Sequence, residues 1–317
     1  MYRIFNISLD SDIPLPELPE TNQTDKIIYI RAGSQKDKDS LQPLWFHDWL
    51  DANDKICFSC SHVNGDYLLQ FPDVAEFLIT LSDNSITYFP EPDVPDETIR
   101  HLLLDQVVPR ALDQQGKLIL HASAVKLSDG RSIAFSGNSG CGKSTIASSY
   151  HEAGAELITD DCLLIDIKNT VVHVVPNYYG LRLFEDSAKA IFSDQAEHSP
   201  VAHYSDKKRL VLHNQNSVVP SSGEPLYAIF LLSNPELQSQ SSEIIVEPVK
   251  GTRELMALIE QMFILDVTDK KLIAQQFKNI GKITSTNLPI YRLQYPHDHT
   301  QLPAVHKAIS KALKKLV

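Results

Sequence analysis

Nine consecutive residues, Gly137-Asn138-Ser139-Gly140-Cys141-Gly142-Lys143-Ser144-Thr145, constrain this chain more than any other feature. They fit the pattern G-x-x-x-x-G-K-[ST]. Its glycines let successive backbone N–H groups turn towards phosphate oxygens, and the following helix aims its positive N-terminus at the same anion. In such a loop Lys143 reaches the β- and γ-phosphates and the Ser144 hydroxyl ligates Mg²⁺. A glycine-rich strand-to-helix turn that binds nothing would match the same letters, so the context has to decide. The apolar run Ile133-Ala134-Phe135 precedes the loop, and a helical stretch from about Lys143 to Glu152 follows it, with Gly154 placed to cap its C-terminus. The expectation is a phosphate loop that takes ATP and Mg²⁺ as cofactors within an α/β fold.

Length and charge bound the rest. The chain of 317 residues is long enough for two domains, and its hydrophobic fraction of 43% and charged fraction of 22% are those of a globular protein. The formal net charge of −11 argues against a nucleic-acid binder, which needs a basic face to neutralise phosphates. The four cysteines are too few to staple a chain of this size, which points to a reducing, cytoplasmic setting. The first residues meet Asp10 and Asp12 too soon for a signal peptide, and no apolar run approaches the ~20 residues of a membrane span, so no membrane is expected.

Along the chain, residues 1–95 read as short strands, among them Tyr2–Ser8, Ile27–Ala32 and Ile86–Phe89. Asn64-Gly65, between Cys60–Val63 and Tyr67–Gln70, is a two-residue hairpin signal. Pro90, Pro92 and Pro95 set a boundary, dividing a β-rich N-terminal region, 1–95, from a catalytic domain, 96–317. Residues 99–112 have helical spacing. Strands are predicted at Leu118–Val125, Ser132–Ser136 and Leu157–Thr159, a hairpin at Leu163–Ile167 with Val171–Val175, and a buried strand at Leu226–Leu232. Leu255, Leu258, Ile259 and Met262 share a helical face, as do Leu302, Val305, Ile309, Leu313 and Leu316. The polar stretch 185–224 reads as a mobile loop over a site.

Asp160 and Asp161 follow an apolar strand, 17 and 18 residues after Lys143. Functional groups in open α/β sheets gather at the carboxyl ends of strands, where a carboxylate can hold Mg²⁺ or accept the proton of an attacking hydroxyl. Strand alternation turns the two to opposite sides unless the chain bends, which favours Asp160 as the base and leaves Asp161 for the metal with Ser144. Arg182 sits in the apolar setting Leu181–Leu183, where an unpaired charge would be costly, so it is a better single candidate than residues 207–209 for a catalytic cation at the transferring phosphoryl group. Lys207-Lys208-Arg209 is either a solvated patch or a source of a cation for a transferring phosphoryl group. Cys57 and Cys60, with His62, resemble half a zinc site but read better as an alternating strand, and His297-Asp298-His299 reads as an exposed turn.

Three segments together resemble the catalytic domain of the HPr kinase/phosphorylase family: Leu120-His121-Ala122-Ser123-Ala124-Val125, the phosphate loop, and Leu157-Ile158-Thr159-Asp160-Asp161. That family carries a histidine upstream of its loop and an Asp-Asp pair after the next strand, on a fold related to ATP-dependent phosphoenolpyruvate carboxykinase. The resemblance implies a P-loop kinase core of that type and gives His121 the role of the family's site histidine. It also assigns phosphate binding to Lys143, Mg²⁺ to Ser144, and the base and metal contact to Asp160-Asp161. It is strongest over residues 118–165. Ser11–Leu18 and Gly180–Leu183 are similar to segments of a broader HPr-kinase-like group, some of whose members phosphorylate lasso-peptide precursors. The glycine-rich signature that follows the acidic pair in true HPr kinases is absent, so HPr itself and phosphorylase activity are not implied. The expected activity is Mg·ATP-dependent phosphorylation of a hydroxyl, a serine of a peptide or protein; the resemblance, and nothing else in the sequence, adds a homo-oligomer, since that family forms oligomers. A small-molecule kinase, or a nucleotide-binding regulator without transfer activity, are the competing readings.

Overall fold

The computed structural model describes residues 1–24, 26–50, 54–178, 180–192, 198–202, 206–210, 223–234 and 243–315. The chain is mixed α/β and forms two compact units. The first spans Met1–Gly116 and also takes in Ile264–Ile273 and a stretch beginning at Val201; the second starts at Lys117 and holds the remaining described residues. No described helix is long and apolar enough to cross a membrane.

The first unit is an eight-stranded sheet. Its strands are β1 (Tyr2–Ile4), β2 (Ile7–Ser11), β3 (Ile27–Ala32), β4 (Leu44–Leu50), β5 (Ile56–Val63), β6 (Asp66–Phe71), β7 (Ala75–Thr80) and β8 (Ser85–Pro90), in the order β1-β2-β3-β8-β7-β6-β5-β4. Only β2–β3 and β3–β8 are parallel. The hairpin predicted at Asn64-Gly65 is formed: Val63 pairs with Asp66, and the two turn residues have φ of 52° and 92°. Both residues at positive φ is the geometry that matches the right-handed twist of the flanking strands. Leu69, Phe77, Ile79 and Ile86 are buried between these strands, each worth about 1.5–3 kcal/mol relative to exposure. Helix α1 (Gln35–Asp39) is closed by a reciprocal Ser34–Asp37 capping box.

The helix expected over 99–112 is interrupted. α2 (Asp96–Leu102) and α3 (Val108–Gln114) flank a π-helical turn, Leu103–Val107. Pro109 stands at the start of α3. It has no N–H to give the carbonyl four residues back, Asp105, so the α-helical ladder breaks there and a wider turn takes over.

The second unit contains β9 (Leu118–Lys126), β10 (Ser132–Ser136), α4 (Lys143–Glu152), β11 (Glu156–Thr159), β12 (Cys162–Lys168), β13 (Val171–Val175), β14 (Leu181–Leu183), α5 (Glu185–Ile191), β15 (His198–Pro200), β16 (Lys208–Leu210), β17 (Glu224–Leu232), β18 (Ile245–Pro248), α6 (Thr252–Ile259), α7 (Lys270–Thr284, from Ala274 onward in this unit), β19 (Ile290–Gln294) and α8 (Leu302–Lys314). The main sheet runs β10-β9-β12-β13-β17-β19-β18, with β11 added to β9, and a further β10–β17 pairing closes part of the ladder on itself. Of the stretch 185–224, α5, β15 and β16 are described, while 193–197, 203–205 and 211–222 lie outside the described residues, as does Leu316.

β10 and β17 are parallel, as are β17 and β19. Such central strands are covered on both faces and so read as unbroken apolar runs. Ile133 and Phe135 of β10, Phe230 of β17 and Leu293 of β19 pack with Ile146 and Tyr150 of α4 and Val305, Ile309 and Leu313 of α8. Ala134 and Ile229 face the other way, among Leu258 of α6 and Ile280 and Ile283 of α7. Helices on both faces leave the strand ends as the exposed edge, and three parallel strands place their carboxyl ends together there.

Candidate active site

β10 ends at Ser136, and the loop that follows leads straight into α4. Gly137, Gly140 and Gly142 have φ of 153°, 82° and 91°, the left-handed region that side-chained residues avoid. Gly142 is needed for a second reason: a Cβ there would stand 2.3 Å from Tyr295 Oη. Lys143 is 5% exposed, and its ammonium donates to the carbonyls of Gly137 (2.9 Å) and Asn138 (3.0 Å). Burial lowers its pKa against the pull of Asp161 and Asp160. Asn138 Oδ1 accepts from Gln261 Nε2 at 3.2 Å, and Cys141 turns inward into the core.

A cavity of about 250 Å³ opens in front of this loop, a little below the usual range of small-ligand sites. The loop lines it with Ser139, Gly140, Gly142, Lys143, Ser144 and Thr145. Asp161, Arg182 and Lys207 line it too, as do Tyr295, His297, Asp298 and His299 from the segment after β19. Phe184 and Ser187, close to Arg182 in sequence, also line it.

The two aspartates occupy different environments. Asp160 is 2% exposed. Its Oδ1 accepts from Ser123 Oγ at 2.6 Å and its Oδ2 from the Arg182 backbone N–H at 3.1 Å. Burial, and then the neighbouring Asp161, raise its pKa. Asp161 faces the cavity. Its Oδ1 lies 3.4 Å from His121 Nε2 and its Oδ2 lies 3.3 Å from Arg182 Nη2. Burial works to raise its pKa, but Arg182 and His121 outweigh it and hold the carboxylate well below the ordinary value.

Strand alternation favoured Asp160 as the group turned to the site. The structure differs because residue 161 is the middle of a turn: Cys162 N–H donates to the Asp160 carbonyl at 2.9 Å, and Asp161 has φ of 63°. A three-residue turn with a positive central φ is strained for an L-residue, and such strain concentrates at functional positions.

His121 stands behind Asp161. It is the residue at which β9 passes from pairing with β12 to pairing with β10. Its backbone N–H donates to Gln261 O at 2.7 Å, and its ring meets Phe263 edge-on at 6.0 Å. Burial lowers its pKa although Asp161 opposes the shift, so the ring is neutral at neutral pH. Arg182 is fully buried on β14, its Nη2 also 3.3 Å from the Asp160 carbonyl, so the guanidinium grips both aspartates.

The three cations 207–209 have three fates. Lys207 lines the cavity and lies 5.3 Å above the Phe184 ring, Lys208 pairs with Glu185 at 3.4 Å, and Arg209 is buried opposite Arg182. His297, Asp298 and His299, read from sequence as an exposed turn, line the cavity. The signal that would have found them is the end of an apolar strand, but only pairing parallel to β17 makes that end converge on the loop. Asp298 uses both oxygens on Thr300 and caps the short turn that follows. Cys57 is exposed and Cys60 buried on β5, and among the described residues no three His, Cys, Asp or Glu side chains are grouped to hold a metal ion.

No family model and no curated protein matches the sequence. Among solved structures, the HPr(Ser) kinase/phosphatase from Coxiella burnetii aligns over 63% of this chain and 99% of its own, at 10% identity and a TM-score of 0.31. A likeness at that score carries no argument about this chain.

Proposed function

We propose that the chain is a Mg·ATP-dependent kinase that transfers a phosphoryl group to a hydroxyl. The observation that carries this reading is the placement of Asp161. It is an anionic carboxylate held between His121 and Arg182, in the same cavity as Lys143 and Ser144. A carboxylate fixed there by Arg182 and His121 stands where it can orient an acceptor hydroxyl as well as hold Mg²⁺.

The residues divide the work as follows. The loop amides, the N-terminus of α4 and Lys143 bind the phosphate chain. Arg182 and Lys207 supply positive charge where negative charge builds on the transferring group. Asp161 accepts the hydroxyl proton and orients the acceptor, and His121, donating through Nε2, positions Asp161. Asp160 takes no part in proton transfer: it is a buried anchor that ties Ser123 of β9 to Arg182 of β14. Mg²⁺, when bound with the nucleotide, neutralises phosphate charge. The Ser144 hydroxyl and an Asp161 oxygen are the hard oxygen donors that suit it.

For the acceptor we propose a serine of a peptide or protein. The support is the resemblance of 120–125, 137–145 and 157–161 to kinases that act on such substrates.

Calorimetry with Mg·ATP tests the foundation. Lys143→Ala is expected to lose ATP binding by at least tenfold while keeping the circular dichroism and melting temperature of the parent chain. Unchanged affinity would remove the proposal.

A further inference from the structure

The cavity is lined by two chemically different groups of residues. One holds Asp161, Arg182 and Lys207, and Lys207 sits over the Phe184 ring at 5.3 Å, so that ring belongs with the cations. The other lies where the segment after β19 meets the start of α4. A Cβ on Gly142 would lie 2.3 Å from Tyr295 Oη and 3.6 Å from His297 Cε1. The His297 ring stacks on Tyr295, with centroids 5.1 Å apart and planes inclined by 13°. Tyr295 is 3% exposed and its hydroxyl donates to the Cys141 carbonyl at 3.5 Å, which fixes the stack to the phosphate loop itself. His297 is exposed and lines the cavity, so the ring face turned away from Tyr295 is the accessible one.

Two further observations decide what that face suits. Burial, and then His299, lower the His297 pKa, which leaves the ring uncharged at neutral pH. An uncharged imidazole backed by a phenol ring is a stacking platform rather than a phosphate ligand. The cavity, at about 250 Å³, has room in front of the loop for a phosphate chain, so the rest of a nucleotide has to lie along one of its walls. With the transferred phosphate beside Arg182 and Lys207, the uncharged aromatic pair is the lining surface left for the nucleoside.

We propose that Tyr295 and His297 form a nucleobase subsite, in which the base of a nucleoside triphosphate lies on the accessible face of His297 and Tyr295 serves as the rigid backing. This rests on reading Gly137–Thr145 as the phosphate site, and the test separates the two ideas by using a ligand with a base and one without. Calorimetric titrations of Mg·ATP and of Mg·tripolyphosphate are compared for the parent chain, His297→Ala and Phe184→Ala. His297→Ala is expected to weaken ATP roughly 5- to 150-fold, the range for loss of one base–aromatic stack, and to leave tripolyphosphate unchanged. Phe184→Ala is expected to change both ligands alike or not at all.

Three results overturn the subsite: His297→Ala affecting neither ligand, His297→Ala weakening both equally, or the ATP-selective loss appearing in Phe184→Ala instead. Equal affinity of the parent chain for the two ligands also overturns it, while leaving the phosphate site standing. Failure of both ligands to bind the parent chain overturns the phosphate site and the subsite together.

Discussion

In the first unit, strands adjacent in the sheet are mostly adjacent in sequence: β4 to β8 form an antiparallel meander whose successive ends point to opposite edges. In the second, β10, β17 and β19 are parallel neighbours separated by long stretches of chain. Parallel strands share a carboxyl edge, so the segments that leave them meet. The phosphate loop leaves β10 and the Tyr295–His299 segment leaves β19, and both line one cavity. Both units bury charge. In the first, Asp105, Arg110 and Asp113 are nearly inaccessible and none of them lines that cavity; in the second, Lys143 and Arg182 are nearly inaccessible and line the cavity in front of the loop, at the cost of desolvation. The comparison therefore separates substitutions that alter stability from substitutions that alter chemistry.

The largest expected effect on stability lies in the meander. Phe77 is fully buried on β7 and meets Phe71 edge-on at 5.8 Å. Phe77→Ala is expected to cost about 3–5 kcal/mol in denaturant unfolding, with ATP affinity of the folded chain unchanged. Loss of ATP affinity in the folded variant would show that the two units do not divide stability and chemistry in this way.

A smaller effect is expected from the anchor in the second unit. Ser123→Ala removes the hydroxyl that Asp160 accepts from, leaving a buried carboxylate oxygen short of one donor. The expected loss is about 1–3 kcal/mol of stability, with turnover of the folded protein near that of the parent. A variant as stable as the parent but without turnover would move Asp160 from anchor to chemistry.

A third effect on stability is a pH dependence. His306 of α8 stacks on Tyr150 of α4 at 3.8 Å, its Nε2 lies 2.8 Å from Ser149 Oγ, and burial lowers its pKa to about 4. In the unfolded chain the ring charges near the usual ~6.5. Between those values the unfolded chain binds one proton more than the folded one, so stability falls as pH drops through that window. His306→Phe keeps a ring on Tyr150 without the titration. It is expected to flatten the melting temperature between pH 6.5 and about pH 4; an unchanged slope would rule His306 out as its source.

Much of this was legible in the sequence where the determinants are local. The phosphate-loop letters, the Asn64-Gly65 turn and the apolar runs of β10 and β17 each carry their own conformational cause. Asp161 was legible as a candidate but not in its orientation, because the positive φ that swings it into the cavity belongs to a turn between β11 and β12. Asp tolerates the left-handed region, but nothing in the letters demands it. His297 was hidden for another reason, and Lys207 was left between a solvated patch and a site cation for the same one. Each is an ordinary loop residue until a pairing distant in sequence, β19 on β17 or β16 on β14, brings it to the loop. The π-turn at Leu103–Val107 follows from Pro109, a signal present in the sequence but readable only once the helix is known to continue past it.

The central claim is that Asp161, rather than Asp160, takes the acceptor proton, and it is tested most directly by turnover of the two asparagine variants. ADP release from Mg·ATP is measured with a serine-peptide library as acceptor and with water alone, alongside calorimetric ATP affinity. Asp161→Asn is expected to lose turnover by about 10²–10⁴-fold, far more than it loses in Mg·ATP affinity, whereas Asp160→Asn is expected to melt earlier and yet turn over near the parent rate when folded. Full turnover in Asp161→Asn, with the loss appearing in Asp160→Asn instead, would contradict the account.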